Sequence, residues 1–155
     1  MSKNLWVIMD MIKGRPERPS YIDGRLPYVD PQLRHFDPAL PKFPSEDEYN
    51  EGSFDSLKVH PTYYDTDYNR HVNNISYIVW LMESFPHEYL DHNLPEFFDV
   101  EWKKQCHLGD EIRVETKKKE NSEEYYTKIL RKCEDGSEEI AFHGITRWRK
   151  RVLDK

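Results

Sequence analysis

Asp67, Asn69 and His71 stand at every second position of one short polar stretch. In an extended chain this spacing places the three side chains on one face, where they can converge on one reacting group. A carboxylate, an amide and an imidazole together can transfer protons and hold a water molecule or a carbonyl oxygen. Asp and Asn also accept hydrogen bonds from backbone N–H groups in turns and helix caps. The pattern therefore leaves a catalytic and a structural interpretation open.

An apolar segment follows this stretch without a break and predicts a helix from about Asn73 to Ser84. Its apolar residues are Ile75, Ile78, Val79, Trp80, Leu81, Met82 and Phe85. Because they cover most of the helical circumference, we expect the helix to be buried on most sides. Asn73 or Asn74 is the expected N-cap, and Pro86 is the expected stop. Free backbone N–H groups at the helix start would face a carbonyl or an anion, which suits chemistry on an acyl group.

Two blocks of sequence carry a family resemblance. The first, Asp-Tyr-Asn-Arg-His-Val-Asn-Asn-Ile-Ser-Tyr-Ile-Val-Trp, spans residues 67–80, and the second, Glu-Trp-Lys-Lys-Gln-Cys, spans residues 101–106. They resemble the C-terminal, catalytic half of the acyl-acyl-carrier-protein thioesterases, which reads Asp-x-Asn-x-His-Val-Asn-Asn-x-x-Tyr-Ile-x-Trp with a later Glu-Tyr-x-x-Glu-Cys. The resemblance implies an α+β hotdog fold, in which a curved antiparallel sheet wraps a long central helix. It also implies hydrolysis of fatty acyl thioesters of acyl carrier protein, the reaction that ends fatty-acid synthesis.

The resemblance makes Asp67, Asn69 and His71 the catalytic positions of the first block. Asp67 would orient or deprotonate the attacking species, and His71 would transfer protons. Asn69 would hold a water molecule or the carbonyl oxygen, and the N–H groups at the helix start would complete the oxyanion site. Asp65 is expected to be structural.

Gln105 and Cys106 form the second candidate block. Cys106 matches the family's cysteine, a candidate nucleophile, whereas Gln105 replaces a glutamate that is a candidate general base. Since glutamine lacks that basicity, we expect slow hydrolysis or a transfer of the role to Asp67 or Glu101. In a strand over 97–106, Gln105 and Cys106 would lie on opposite faces, with Cys106 beside Phe98, Val100 and Trp102 on the core face. A buried cysteine is more often a small apolar residue than a nucleophile.

Alternating residues after the helix predict an antiparallel meander. After a short strand at 56–62 and the helix, we expect a helical turn or loop and then strands at about 97–106, 110–119, 123–133 and 138–150. The residues that share one face are Ile112, Val114 and Thr116 in the second of these strands and Ile140, Phe142, Gly144 and Trp148 in the last. Asp135-Gly136 is a strong signal for a two-residue hairpin loop. One helix followed by a meander agrees with the hotdog fold.

The N-terminal third has a different composition. Residues 5–12 form an apolar run that predicts a strand buried on both faces. Seven of the ten prolines fall within residues 14–53, which favours an extended linker. Members of the family carry two hotdog domains in tandem, joined by a proline-containing linker. By that resemblance, residues 1–13 are the remnant last strand of a missing N-terminal hotdog domain, and residues 54–155 are the hotdog thioesterase domain.

The composition argues against several classes of protein. A formal net charge of −6 disfavours a nucleic-acid binder, which is usually basic. No apolar run approaches the ~18 residues of a membrane span, and the N-terminus lacks the pattern of a signal peptide. Cys106 and Cys133 have no ligand-like spacing to histidines, so neither a zinc site nor a disulfide framework is indicated, and no cofactor is expected. We expect a soluble cytosolic protein.

The expected partners are acyl carrier protein and a second copy of the chain. Basic clusters at 103–104, 117–119 and 147–151 would suit an acidic carrier, although solvated strand faces carry such charges as well. Hotdog domains usually pair edge to edge, so we expect a homodimer.

Two alternatives stay open. Acyl-CoA thioesterases of the hydroxybenzoyl-CoA type share the opening Tyr-Asp-Thr-Asp at 64–67 but lack Asn-x-His-Val-Asn-Asn. A non-catalytic acyl-binding or dimerisation hotdog module is favoured by Gln105, which cannot act as a base.

Overall fold

The computed structural model describes residues 9–10, 15–16, 43–54 and 56–152. The chain divides into two units, residues 1–42 and 43–155. In the first unit, β1 (Met9–Asp10) pairs with β2 (Arg15–Pro16) in antiparallel fashion. The rest of the strand predicted at 5–12, and most of the predicted linker, lie outside the described residues.

The second unit contains one antiparallel sheet. Its strands are β3 (Glu51–Ser53), β4 (Leu57–Val59), β5 (Asn93–Trp102), β6 (Ile112–Lys118), β7 (Glu124–Lys132) and β8 (Glu138–Lys150). The order is β3-β6-β7-β8-β5, and β4 pairs with β6 beside β3. Because β3 falls within the range predicted as linker, the sheet begins before residue 54. The predicted meander is confirmed in β6, β7 and β8.

Two α-helices precede β5. They are α1 (Asn74–Glu83) and α2 (His87–His92). The predicted N-cap of α1 is confirmed, since the side chain of Asn73 accepts a hydrogen bond from the N–H of Ile75 at 3.0 Å. Pro86 stands after α1, as expected, and is also the N-cap residue of α2. Neither described helix is long and apolar enough to cross a membrane.

Helix α1 buries one face rather than most of its circumference. Tyr77, Trp80 and Leu81 are 2%, 5% and 0% exposed and pack in the core. Ile75 and Val79, one turn apart on another face, are 62% and 49% exposed. Within the described part of the chain, the expectation of a helix covered on most sides is therefore wrong, because the sheet lies against one side of α1.

The core lies between α1 and the inner face of the sheet. Ile112, Val114 and Thr116 of β6 are buried there, as their alternation predicts. In β8 the predicted alternation fails near Ile140, which is 37% exposed. The cause is a shift of register, because Ile129 pairs with Phe142 and the next residue of β7 pairs with Ile140.

The outer face of the sheet is partly covered by the segment 43–50. Tyr49 is 1% exposed and packs against Tyr126 and Ile145 of β7 and β8. Phe43 stacks on the ring of His143 with 3.8 Å between ring centroids. Both faces of central β8 are therefore buried, which differs from the simple alternation expected for it.

Candidate active site

The segment from Thr66 to Val72 folds back on itself. Thr66 and Val72 form an antiparallel bridge, and the N–H of Asp67 donates to the carbonyl of His71 at 2.8 Å. Arg70 takes a left-handed conformation with φ of 62°. The expectation that Asp67, Asn69 and His71 share one face of an extended chain is therefore wrong. They lie instead on one tight turn.

The carboxylate of Asp67 organises this turn. Its Oδ1 accepts hydrogen bonds from the N–H groups of Asn69 at 2.8 Å and His71 at 3.2 Å. Such contacts are the turn chemistry that the sequence left open as the alternative to catalysis. These bonds use Oδ1 alone, and the side chains of Asp67 and Asn69 are exposed.

Asp65 has a structural role, as the sequence indicates. Its Oδ2 accepts hydrogen bonds from the N–H and the hydroxyl of Thr62, each at 2.7 Å. Partial burial raises the pKa of the Asp65 carboxyl, but the hydrogen bonds from Thr62 outweigh it and the pKa lies below its usual value. The carbonyl of Asp65 also accepts from the N–H of Asn73 at 2.7 Å. Asp65 thereby fixes the approach to α1.

The first turn of α1 offers fewer free donors than expected. Asn73 engages the N–H of Ile75 through its side chain and the N–H of Ser76 through its carbonyl, at 3.0 and 2.9 Å. A backbone donor to an oxyanion would therefore have to come from Asn74, with side chains such as that of Asn69 as the other source.

The loop that follows β5 runs beside this turn. The N–H of Val72 donates to the carbonyl of Cys106 at 2.9 Å, and His71 pairs with His107 in an antiparallel bridge. The rings of His71 and His107 lie 5.4 Å apart between centroids and nearly perpendicular, at 79°. The structure thus brings the two sequence blocks together.

His107 was not predicted from the sequence as a site residue. Its position directly after Cys106 is the only local signal, and it stands outside both motif blocks. The pairing with His71 depends on the fold, because 36 positions separate the two residues along the chain.

Cys106 is not in a strand but in the loop after β5, which ends at Trp102. It is 0% exposed and belongs to the core cluster around α1. Burial raises the pKa of its thiol to about 11, so the reactive thiolate is scarce near neutral pH. The geometry therefore favours the interpretation of Cys106 as a small apolar residue.

Gln105 lies in the same loop and is exposed. Its carbonyl accepts a hydrogen bond from Arg131 at 3.1 Å, and Arg131 is also paired with Glu139. Gln105 is exposed and Cys106 is buried, so the predicted separation of their side chains holds. The predicted core face of β5 is wrong in part, because two of its residues are not buried. Phe98 and Trp102 are 40% and 42% exposed. Both residues are partly exposed because β5 is the last strand of the described sheet, although the ring of Trp102 still packs against Phe142.

Tyr77 joins this loop to α1. Its phenol oxygen accepts a hydrogen bond from the N–H of Cys106 at 2.9 Å and lies 3.5 Å from the carbonyl of Lys104. Burial raises the pKa of the Tyr77 phenol, so the hydroxyl stays protonated. Tyr77 therefore holds the loop against the helix by accepting at one backbone group and donating to another.

Glu101, the alternative base considered for the reaction, is engaged elsewhere. Its Oε2 lies 2.7 Å from Nε2 of His143 and 3.0 Å from Nζ of Lys103. The hydrogen bond with His143 holds the pKa of Glu101 below its usual value. Since His143 packs with Phe43 and Tyr126, this carboxylate belongs to the outer face of the sheet, away from α1.

The basic clusters considered for a carrier protein are largely ion-paired. The pairs are Lys103–Glu101, Lys117–Glu46, Lys118–Glu123, Lys119–Glu48 and Arg147–Glu124. Because each of these cations has an anionic neighbour, the clusters behave as solvated strand faces rather than as an unbalanced basic patch.

The surface around the turn carries exposed aromatic and aliphatic side chains. Tyr64 and Tyr68 are 95% and 100% exposed, Ile75 is 62% exposed, and Leu108, directly after His107, is 57% exposed. A separate cavity of about 480 Å³ lies by Phe54, Tyr89 and Tyr125. None of the five predicted site residues lines that cavity.

Comparison with known proteins gives a consistent result. Residues 48–150 match the family model described as the acyl-ACP thioesterase C-terminal domain. Oleoyl-acyl carrier protein thioesterase 2 of Arabidopsis thaliana, named as chloroplastic, is 28% identical over 134 residues, which cover 73% of this chain and 35% of that protein. The chain thus spans about a third of the length of this relative.

Two solved structures share the fold. The 12:0-ACP thioesterase from Umbellularia californica has a TM-score of 0.64 at 19% identity, over 92% of this chain and 53% of that chain. An acyl-ACP thioesterase from Bacteroides thetaiotaomicron has a TM-score of 0.61 at 19% identity, over 91% and 53%. The expected α+β hotdog fold is confirmed.

Proposed function

The chain belongs to the acyl-acyl-carrier-protein thioesterase family through its C-terminal domain, and from this premise we propose that it hydrolyses fatty acyl thioesters of acyl carrier protein. Water and the thioester would give a fatty acid and the free thiol of the carrier. The observation that supports the proposal is the meeting of the turn 66–72 with the loop 105–107 at the start of α1.

Each polar residue of the turn has a role in the proposed reaction. Asp67, through Oδ1, holds the turn that presents Asn69 and His71. The amide of Asn69 donates to the carbonyl oxygen as negative charge develops there. His71 acts in proton transfer and protonates the leaving sulfur. Cys106 has no chemical step in this scheme, because its thiol is buried and protonated.

Steady-state hydrolysis of acyl-carrier-protein thioesters by the full chain tests the proposal, with release of the thiol as the measurement. His71→Ala should lower kcat by about 10²–10⁴-fold, the usual contribution of an acid–base side chain. His87→Ala, at an exposed histidine of α2 beside Glu83, is the matched control and should leave kcat unchanged. Failure of the wild-type chain to release thiol from any acyl chain length would contradict the proposal.

The same assay separates the alternatives. Acyl-CoA thioesters share the reacting group and the phosphopantetheine arm, so faster turnover of these substrates would favour a CoA thioesterase. Acyl binding without turnover would favour a non-catalytic module, a result that Gln105 in place of a glutamate would explain. The carrier-protein proposal rests on family membership, because the ion-paired basic clusters give it no separate support. The cytosolic location stays a prediction.

A homodimer is the second part of the proposal. Strand β5 ends the described sheet, and Phe97, Phe98 and Trp102 along it are 37%, 40% and 42% exposed. Ile75 and Val79 add an apolar stripe on α1. A second copy placed against these surfaces would cover them. Light scattering at micromolar concentration should give the dimer mass for the wild type and the monomer mass for Val79→Asp. A monomeric wild type would contradict the proposal.

A further inference from the structure

We infer that His107 is a second acid–base residue of the proposed thioesterase site, working with His71 in the same reaction. The inference rests on the proposed hydrolysis and adds to it a group that stands outside both motif blocks. Its structural basis is the pairing of His71 with His107 between the turn and the loop.

The backbone around His107 is held on both sides. On one side, the carbonyl of Cys106 accepts from the N–H of Val72 at 2.9 Å. On the other side, the N–H of His107 itself donates to Oδ2 of Asp110 at 2.9 Å. These bonds leave the imidazole of His107 exposed and 5.4 Å from the ring of His71, measured between centroids. Rings this close can be linked by one water molecule that hydrogen-bonds to a nitrogen atom of each.

The other polar side chains of this loop and of the end of β5 are unsuited to the role of base. Gln105 cannot accept a proton at neutral pH. Cys106 is buried with a thiol pKa of about 11. Glu101 is bonded to His143, and Asp110 accepts from the backbone of His107. Among the described residues of the loop, His107 is therefore the exposed side chain that can take a proton from water.

The reaction then uses the two imidazoles in turn. His107 takes one proton of the attacking water as the new C–O bond forms and the carbonyl electron pair moves onto the oxygen. The oxyanion collapses, the C–S bond breaks, and protonated His71 gives its proton to the sulfur. The proton on His107 then passes to His71 through a bridging water. One water is consumed, and one carboxylic acid and one thiol are formed.

His107→Gln tests the inference, because glutamine keeps a polar side chain of similar reach without a titrating group. We expect kcat for acyl-carrier thioesters to fall by about 10²-fold while KM changes less than about twofold. The pH profile of kcat should lose one ionisation. His107→Asn is the second variant, and His87→Gln is the matched control that should behave as wild type. Thermal unfolding checks that all variants are folded.

A second test restores the carboxylate of the glutamate that Gln105 replaces. In the His107→Gln background, Gln105→Glu should recover at least about tenfold in kcat, since it returns a base to the same loop. Gln105→Glu in the wild-type chain is the control for this rescue. A gain in kcat there as large as the gain in the His107→Gln background would show that His107 does not act as a base. Wild-type kcat and an unchanged pH profile in His107→Gln would overturn the inference while leaving the proposed hydrolysis intact. An inactive wild-type chain would instead remove the proposed function and the inference with it.

Discussion

The phenol oxygen of Tyr77 accepts a hydrogen bond from the backbone N–H of Cys106 at 2.9 Å. This bond spans 29 positions of the sequence and is buried. The bond fixes the position of the loop after β5 relative to the first turn of α1. Two contacts depend on that position. They are the hydrogen bond from the N–H of Val72 to the carbonyl of Cys106 and the backbone pairing of His71 with His107.

Removing this phenol oxygen should therefore affect both stability and activity. Tyr77→Phe keeps the ring that packs against Trp80 and Phe142 but leaves the N–H of Cys106 without its buried acceptor. We expect a loss of about 1–3 kcal/mol in the free energy of unfolding, measured by urea denaturation. We also expect a lower kcat, because the loop loses one of the hydrogen bonds that fix it.

Tyr63→Phe is the control for that measurement. Tyr63 is 77% exposed, so loss of its hydroxyl should change neither stability nor kcat appreciably. Equal stabilities for Tyr77→Phe and the wild type would show that water replaces the phenol oxygen at Cys106.

Gly144 lies where β8 approaches a side chain of α1 closely. A Cβ atom placed there would lie 2.9 Å from Cδ1 of Leu81 and 3.2 Å from Cγ1 of Val100. Because Leu81 is fully buried, it has little room to move, and Gly144→Ala should cost about 1–3 kcal/mol of stability. Leu81→Val shortens the side chain facing Gly144, so the cost of Gly144→Ala should be smaller in that background. Additive effects of the two substitutions would contradict this packing argument.

The parts of the fold that depend on local chemistry were predictable from the sequence. The start of α1 was predictable because Asn73 is an N-cap followed directly by a helical apolar run. The hairpin between β7 and β8 was predictable because Asp135-Gly136 suits a tight turn, and Gly136 takes φ of 83°. Its loop is longer than the two residues predicted, since the N–H of Gly136 donates to the carbonyl of Cys133. In both cases the deciding contacts lie within a few residues of each other.

The candidate site was predictable only as separate pieces. Alternate spacing of Asp67, Asn69 and His71 predicts an extended chain, but the left-handed conformation of Arg70 and the bonds to Oδ1 of Asp67 close a turn. The role of His107 depends on a pairing made only in the folded chain. Helical periodicity likewise identifies apolar residues but cannot say how many sides of α1 the sheet covers.

A chain of three hydroxyls crosses the core between α1 and the sheet. Ser84 donates to the carbonyl of Leu81 at 2.7 Å, so Thr116 must donate to Ser84 and Thr127 to Thr116, each at 2.7 Å. Thr116→Val breaks both links and leaves the proton of Thr127 unpaired. We expect it to cost about 1–3 kcal/mol in thermal unfolding.

Thr127→Val is the matched comparison within the same chain of hydroxyls. It removes a donor but leaves the proton of Thr116 bonded to Ser84, so its cost should stay below about 1 kcal/mol. A larger cost for Thr127→Val than for Thr116→Val would show that the hydroxyls donate in another order.

Burial of Cys106 predicts an unreactive thiol. In a Cys133→Ser background, which removes the other cysteine, Cys106 should react slowly with iodoacetamide at pH 7.5 and rapidly once urea unfolds the chain. Cys106→Ala should retain most of the kcat of the wild type, because the thiol has no chemical step in the proposed reaction.

The raised pKa of Cys106 also predicts how stability depends on pH. Burial moves the pKa from an ordinary value of 9.0 to about 11, so the folded state holds this proton more tightly than the unfolded state. The resulting stability is fully present below pH 9 and is lost as pH rises through about 11. Urea denaturation at pH 8 and pH 11 should show a smaller loss for Cys106→Ala than for the wild type. The same loss in both proteins, or fast labelling of the native thiol, would contradict a buried Cys106.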